Sequence, residues 1–190
     1  EYKADLYLKG RVLVHKSNKL VKYIPSMFRL EEGVNHYIIE SLSEMHYTAP
    51  DIYNRKVKAV SSTFPRNKGE LTDLTDFLNM NIYSSSIMSD KLLSPLDKKA
   101  SKYYTYLLDS VVNDQNCLKY KIRFIPKFKS TQLVNGYIWV SDEVWTIREA
   151  YFEGKFDLIQ FRLRNIMGED GDEEFLPVQL NLDIYFDFMG

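Results

Sequence analysis

The three histidines are the side chains that could most readily bind a metal ion or transfer a proton near neutral pH. His15, His36 and His46 never occur at the four-residue spacing that lets two histidines of one helix share a zinc ion. The chain also lacks the GxSxG, HExxH and phosphate-binding glycine-loop motifs of nucleophilic, metal-dependent and nucleotide-dependent enzymes. The sequence therefore predicts a protein that is not an enzyme, with no catalytic residue, no metal site and no cofactor.

A run of acidic residues at 169–174, EDGDEE, could gather oxygen ligands around a calcium ion. It lacks the spaced series of ligands and the closing bidentate glutamate of an EF-hand loop. Asp170 followed by Gly171 is by itself typical of a tight hairpin turn. We interpret this run as a solvated turn between two strands.

A basic strand at 118–129, LKYKIRFIPKFK, is the second candidate for binding chemistry. Its cations alternate with apolar and aromatic residues, so they would lie on one face of a strand: Lys119, Lys121, Arg123, Lys127 and Lys129. Such a row could hold phosphates of lipid headgroups or of a nucleic acid. The whole chain carries 25 Lys and Arg against 26 Asp and Glu, a net charge of -1, and we therefore predict no nucleic-acid partner. We interpret the row as a solvated face whose lysines discourage pairing at a sheet edge.

Most of the 190 residues show the alternation of apolar and polar side chains that is typical of strands. The content of 14 Tyr and 11 Phe also suits pleated surfaces. We predict strands at residues 2–14, 36–48, 53–64, 103–112, 117–128, 133–141, 144–154, 156–167 and 175–188, with a break at Gly154. The short connections predict an antiparallel meander over about 103–188.

One segment has a helical period instead. Residues 68–82 repeat apolar side chains at spacings of three and four, which predicts a principal helix over about 70–82. A short helix is expected to begin near Ser94 and Pro95. A sheet of this breadth cannot stay flat, so we expect it to curl around the helix. The predicted fold is mainly β (α+β), a large curved antiparallel sheet packed on one or two helices, in a single domain of residues 1–190 that is excised from a longer protein.

Several of these motifs, taken in order, resemble the middle region of a large outer-membrane protein family of unknown function in Bacteroidota-type bacteria. The resemblance rests on YKADLYLKG at 2–10, YIIESLSEMHYTAPD at 37–51, LSP at 93–95, IRFIPK at 122–127 and GYIWVSDEVWTI at 136–147. In that family a carboxypeptidase-regulatory-like sandwich precedes this region and an outer-membrane barrel follows it. The resemblance implies a segment on the periplasmic side of the outer membrane that does not itself span the membrane.

The hairpin at 133–154 is also similar to the sheet of the LolA-like and LolB-like lipoprotein carriers, which are half barrels that hold lipid chains in a hollow. This similarity implies a binding module whose concave face takes a lipid, a lipoprotein acyl chain or a hydrophobic peptide. The expected lining comes from the helix, the hairpin and the last strand: Leu71, Leu74, Phe77, Leu78, Trp139, Leu180, Leu182, Ile184 and Phe186. Trp139, Trp145, Tyr137 and Tyr151 are bulky enough to fill the hollow themselves.

Two further interpretations remain open from the sequence. In the first, the chain is a packed spacer or protein-interaction domain between the sandwich and the barrel, and it contacts other domains of the same chain or other envelope proteins by edge strands or by the lysine row. In the second, the last strand belongs to a membrane barrel, because its apolar and polar faces alternate cleanly. Against the second stands the apolar face of the expected helix, which needs a sheet to cover it.

Overall fold

The computed structural model describes residues 2–14, 31–48, 52–65, 82–87, 91–114, 117–142, 145–156, 159–168 and 177–186. Within these ranges the chain is almost entirely strand. The strands are β1 Tyr2–Leu13, β2 His36–Thr48, β3 Ile52–Ser62, β4 Ser86–Ile87, β5 Leu92–Leu93, β6 Tyr104–Asp114, β7 Cys117–Pro126, β8 Asn135–Ser141, β9 Ile147–Phe156, β10 Ile159–Met167 and β11 Pro177–Phe186. The helical content of the described residues is one 3-10 turn, Ala100–Lys102.

Each described strand pairs antiparallel with at least one neighbour in sequence, and β4 and β5 pair only with each other. The first three form a sheet in the order β1-β2-β3, and the last six form a sheet in the order β11-β10-β9-β8-β7-β6. The two sheets meet where β1 contacts β11. This arrangement confirms the predicted large antiparallel sheet and its meander, because short turns between alternating segments leave antiparallel neighbours as the simplest pairing.

The buried face of the six-stranded sheet, hereafter the inner face, is built from rows of residues that pair across neighbouring strands. The central row runs from Phe124 through Gly136, Phe152 and Leu163 to Leu182. The rings of Phe124 and Phe152 lie 5.6 Å apart between centroids, on the two sides of Gly136. A Cβ on Gly136 would lie 1.9 Å from the carbonyl oxygen of Tyr151, so only glycine fits beneath these rings.

The inner face is covered at one end by residues 82–87 and 91–102. Ile87, Leu92 and Ala100 belong to the same buried cluster as the phenylalanines of the central row. Tyr104 fixes this cover, because its hydroxyl donates to the Leu93 carbonyl at 2.8 Å and accepts from the backbone N–H of Val134 at 3.2 Å. Burial raises the pKa of Tyr104 to about 12, so the hydroxyl keeps its proton as a donor at neutral pH.

The same cluster includes residues of the three-stranded sheet. Val12, Tyr37 and Ile39 are buried with it, and the Tyr37 ring stacks on Phe64 at 4.5 Å between centroids. Apolar residues of both sheets therefore leave water together, which is the usual source of stability in a β-rich domain.

One of the two expected helices is replaced by turns, and the other lies almost wholly outside the described residues. The principal helix at 70–82 falls almost wholly on residues 66–81, which lie outside the described residues; its last residue, Ile82, is buried in a turn. The short helix expected near Ser94 and Pro95 is replaced by turns that end in the 3-10 helix. Packing of the sheet on helices is therefore not supported. Serine and proline here favour turns, since the Ser94 hydroxyl accepts from the backbone N–H of Leu96 at 3.1 Å.

The strand boundaries agree with expectation within a few residues, with one correction. The break expected at Gly154 does not occur, because β9 continues to Phe156 and Gly154 pairs with Phe161. A Cβ on Gly154 would lie 3.1 Å from the Phe161 ring and 3.2 Å from Val134. Glycine serves here to admit a neighbouring ring, which a sequence pattern cannot distinguish from a strand end.

Candidate functional site

Three residues of the expected ligand lining have side chains that the structure describes, Leu180, Leu182 and Trp139, and these three do not share one face of the sheet. Leu180 and Leu182 lie on the inner face of β11, half-buried against the core. The backbones of Ile184 and Phe186 pair with Phe161 and Ile159 of β10. The four helix residues lie outside the described residues: Leu71, Leu74, Phe77 and Leu78.

Trp139 lies on the opposite surface of the six-stranded sheet, hereafter the outer face. It pairs with Lys121 and Glu149, whereas its neighbours Ile138 and Val140 are buried on the inner face. Tyr137 also lies on the outer face. Trp145 is 69% exposed and stacks on Tyr120 at 5.9 Å between centroids. Trp139 and Tyr137 therefore do not fill a hollow on the inner face, because the two-residue period places alternate side chains of one strand on opposite faces.

The outer face carries a ladder of aromatic and charged side chains across its central strands. The rings of Tyr137 and Tyr151 stack at 5.2 Å between centroids. The ammonium group of Lys121 lies 4.1 Å from the Tyr137 ring centroid and 5.9 Å from that of Trp139. These contacts place a cation of the basic strand over aromatic rings, where the ring electrons attract it.

A carboxylate connects this ladder. Glu149 accepts from the Tyr137 hydroxyl at 2.8 Å and from two nitrogens of Arg164 at 3.0 and 2.8 Å. Burial raises the pKa of Glu149, but the hydrogen bonds from Arg164 and Tyr137 outweigh it and leave the pKa below its ordinary value. Burial and the bond to Glu149 raise the pKa of Tyr137 to about 12. The ladder is therefore an internally satisfied network at neutral pH, with a charged carboxylate and a protonated phenol.

The most exposed apolar surface of the sheet lies along its edge strand β6. Five large side chains of this strand are at least 40% exposed: Tyr106 40%, Leu107 41%, Leu108 62%, Val111 47% and Val112 46%. Leu108 pairs with Ile122 on the inner face, and Leu107 pairs with Arg123 on the outer face. Among the described strands β6 has one neighbour, β7. The strand therefore presents apolar side chains on both faces beside a row of backbone groups that no described strand pairs.

Two features of β6 limit what can be added to this edge. The register with β7 shifts between Leu108 and Ser110, a bulge that divides the edge into two runs. Asp109, at the shift, forms an ion pair with Arg123 at 2.8 Å. Bulges and charges are ordinary protections against edge pairing, and here they interrupt the edge at its middle and leave both ends regular.

The basic strand is β7, and the structure confirms the alternation of its cations up to Arg123. Lys119, Lys121 and Arg123 pair with outer-face residues of β8, one strand in from the open edge. Lys127 and Lys129 follow the end of β7 at Pro126. The cations of β7 therefore form the outer-face border of the β6 edge, hereafter the β7 cation row, Lys119, Lys121 and Arg123.

The sequence pattern did not single out β6. Its apolar residues fall on both faces in the run YLLDSVV at 106–112, which is typical of a strand buried on both sides. The structure instead leaves it at the edge. One feature of the sequence could have indicated this edge. The strand is apolar on both faces, although it is the first strand of the meander and would have a neighbour on one side.

Comparison with known proteins places the chain in a family without giving it a function. The model of a family of unknown function, DUF5686, matches residues 1–190, and the chain belongs to that family. No curated protein matches it. No solved structure matches it either. Among the described residues, no helix is long and apolar enough to cross a membrane.

Proposed function

We propose that this chain is a non-catalytic protein-interaction module that binds an extended strand of a partner protein along β6. One observation carries the proposal. An edge strand of the six-stranded sheet exposes five large apolar side chains on its two faces. Exposed, long, apolar edges invite pairing with another strand, and soluble proteins normally protect them.

An added strand gains from β6 in two ways. Its backbone can take the N–H and C=O groups on the open side of the strand, as in recognition by strand addition. Its side chains can cover Tyr106 and Leu108 on the inner face and Leu107 on the outer face, which removes apolar surface from water. Because the bulge at Leu108/Ser110 interrupts the edge, the partner strand pairs with one run, and Tyr104–Leu108 carries the most exposed side chain.

The β7 cation row determines which strand fits best. An added strand lies about 10 Å from β7, two inter-strand spacings away, so its long side chains can approach Lys121 and Arg123 on the outer face. Acidic side chains on that face complement these cations, and apolar side chains on the other face cover Leu108. We therefore propose a partner strand that alternates acidic and apolar residues.

The setting of this interaction follows from the family resemblance and is part of the proposal. We propose that the module lies on the periplasmic side of the outer membrane of a Bacteroidota-type bacterium, between a regulatory-like sandwich and an outer-membrane barrel. There the β6 edge receives a strand of another envelope protein. A half-barrel curvature like that of the LolA-like carriers suits this role, because it leaves an open edge where a closed sheet has none.

The competing function is binding of a lipid or lipoprotein acyl chain in the concave inner face. Half-buried Leu180 and Leu182 would lie at the margin of such a site. The central residues of the inner face oppose it, because Phe124, Phe152 and Phe161 are already 0–1% exposed. Space for an acyl chain there would require the core to open.

The test uses a photo-crosslinking amino acid at Leu108 in the native cell envelope, with the same substitution at Val178 as the control. Val178 is 57% exposed on β11 and Leu108 is 62% exposed on β6, so the two positions match in accessibility. We expect one discrete protein adduct from position 108 and none from position 178. The crosslinked protein, once purified, should slow amide hydrogen exchange in 104–114, because added backbone hydrogen bonds protect those amides.

Two results would overturn the proposal. One is equal adduct formation at positions 108 and 178, which would indicate unspecific contact. The other is native mass spectrometry of the purified chain showing a bound acyl species that Leu182→Ala removes, together with no partner-dependent protection of β6; that result would assign function to the inner face.

A further inference from the structure

An open cleft of about 560 Å³ lies at the end of the six-stranded sheet where β8 begins and β9 ends. It is distinct from the β6 edge, because β8, β9, β10 and β11 contribute its walls. Its polar lining comes from Asn135, Glu153, Lys155, Gln160, Arg162 and Tyr185. The volume falls in the range of small-molecule sites, and polar side chains predominate in the lining, which Gly154 and Phe161 complete.

The strand register brings these side chains to one face. Asn135 pairs with Glu153, Glu153 pairs with Arg162, and Gln160 pairs with both Lys155 and Tyr185. Cross-strand partners have side chains that lie next to each other, so the six groups form two adjacent rows. The sheet therefore fixes their spacing without help from a loop.

The lining side chains differ in how many of their polar atoms already contact other residues of the chain. Lys155 and Gln160 have partners within the chain. Glu153 accepts from the Tyr151 hydroxyl at 2.9 Å, which occupies one of its two oxygens. Arg162 lies with its guanidinium carbon 5.7 Å from the Tyr185 ring centroid. That ring contact does not use the five N–H donors of the guanidinium group.

We propose that this cleft binds a short saccharide. A hydroxyl-rich ligand needs donors and acceptors side by side, and Arg162 supplies donors, Glu153 supplies an acceptor, and the Asn135 amide supplies both. The Tyr185 ring, 40% exposed, supplies an apolar surface for the C–H face of a sugar ring. A saccharide has both surfaces, whereas a fatty acid or a simple anion has one.

Charge also favours a saccharide over a phosphate or another small anion. The cations Lys155 and Arg162 line the cleft together with the carboxylate of Glu153. Asp183 of β11 is the cross-strand partner of Arg162 of β10, and both lie on the outer face. Lys155 and Arg162 stand against one carboxylate in the lining and a second, that of Asp183, at its border, so little net positive charge is left to hold an anion. A set of hydrogen-bonding groups whose charges offset each other suits a ligand with hydroxyl groups. Hydroxyl groups form hydrogen bonds but carry no charge that the site would have to neutralise.

The test is a titration of the 190-residue chain with short oligosaccharides of uncharged hexoses, followed by amide NMR and calorimetry. We expect shifts confined to the amides of 135, 153–155, 160–162 and 185. Arg162→Ala, Asn135→Ala and Tyr185→Ala should each weaken binding about tenfold or more, the effect of losing about 1.4 kcal/mol. Tyr185→Phe should bind like the parent chain, because it keeps the ring.

Asn181→Ala serves as the matched control for Asn135→Ala, since Asn181 pairs with Arg164 on the same outer face but lies outside the cleft. It should leave saccharide affinity unchanged. The proposal fails if no oligosaccharide binds at millimolar concentration, or if the three cleft variants bind as tightly as the parent. It also fails if inorganic phosphate alone gives the same shifts at the same concentration, because the cleft would then be an anion site.

Discussion

The two edges of the six-stranded sheet have similar apolar content and opposite surroundings. At one edge, β11 contacts β1 of the three-stranded sheet, and Leu180 and Leu182 are half-buried against the core. At the other, β6 leaves Leu108 and four further large side chains exposed. The same residue types thus stabilise the fold at one edge and remain available to a partner at the other.

This difference shows where the apolar surface of a sheet is used for folding and where it is not. In β11 the apolar residues alternate with polar ones, and Leu180 and Leu182 are half-buried against the core while Val178 is 57% exposed. In β6 they fall on both faces, which a one-sided core cannot cover. An edge strand with apolar residues on both faces is therefore a better indication of an interaction surface than an exposed residue alone.

The largest loss of stability is expected for a substitution at the centre of the sheet, and the losses at the two edges are compared with it. Gly136→Ala would place a Cβ 1.9 Å from the Tyr151 carbonyl oxygen and 2.8 Å from the Phe124 ring. We expect the free energy of unfolding to fall by about 3 kcal/mol or more, because backbone and rings must both shift. Chemical denaturation measures this loss.

Gly33→Ala is the control for that substitution. A Cβ on Gly33 meets nothing within 4 Å, and its cost comes from the φ of +83° alone. We expect a loss of about 1 kcal/mol. Equal losses for Gly136 and Gly33 would show that the crowding under the phenylalanine rings does not limit the centre of the sheet.

A direct comparison of the edges uses Leu182→Ala and Leu108→Ala. Leu182 is half-buried, so we expect its truncation to reduce the free energy of unfolding by about 1–3 kcal/mol. Leu108 is 62% exposed, and its truncation should change stability by about 0.5 kcal/mol or less. A large loss for Leu108 in the isolated chain would mean that β6 is covered without a partner, and it would contradict the comparison.

The smallest effect concerns the outer-face ladder between the edges. The pKa of Glu149 lies below its ordinary value of 4.5 in the folded chain, so its ionised form stabilises the fold above that pH. This stabilisation is lost as the pH falls through the folded pKa. In Glu149→Gln we expect the free energy of unfolding to fall less steeply below about pH 4.5 than in the parent chain. The difference should be about 1 kcal/mol or less, because Arg164 is half-exposed.

Urea denaturation at pH 7 and at pH 3 measures the effect of the ladder. The parent chain and Glu149→Gln should differ more at pH 7 than at pH 3. A constant difference between them at both pH values would show that the ion pair with Arg164 contributes nothing that depends on ionisation.

The strands and their meander could be predicted from the sequence because alternation and turn residues act locally. The nine long strands lie within a few residues of their expected bounds. The inner-face placement of Leu180 and Leu182 followed from the same period. The helix of 70–82 stays a prediction, and the turns near Ser94 show that serines and prolines outweighed a weak helical pattern there.

The candidate sites could not be predicted, because they depend on distant parts of the chain. The face on which Trp139 lies depends on whether the even-numbered or the odd-numbered residues of β8 face the core. Gly136 pairs with Phe124 and Phe152 of the inner face, so the even-numbered residues face the core and Trp139 faces outward. The cleft depends on the register that brings Asn135 beside Glu153 and Arg162. Register is a property of paired strands and is invisible in either strand alone.

The sequence by itself determined that this chain forms a broad antiparallel sheet with one apolar face. Alternating apolar and polar residues place the apolar side chains together on one face only when the chain is extended. Only the tertiary structure decided which edge of that sheet is covered. Contact between β1 and β11 depends on residues more than 160 positions apart in sequence, and it leaves β6 open. The physical reason is that strand pairing through short turns is local, whereas the meeting of two sheets is not.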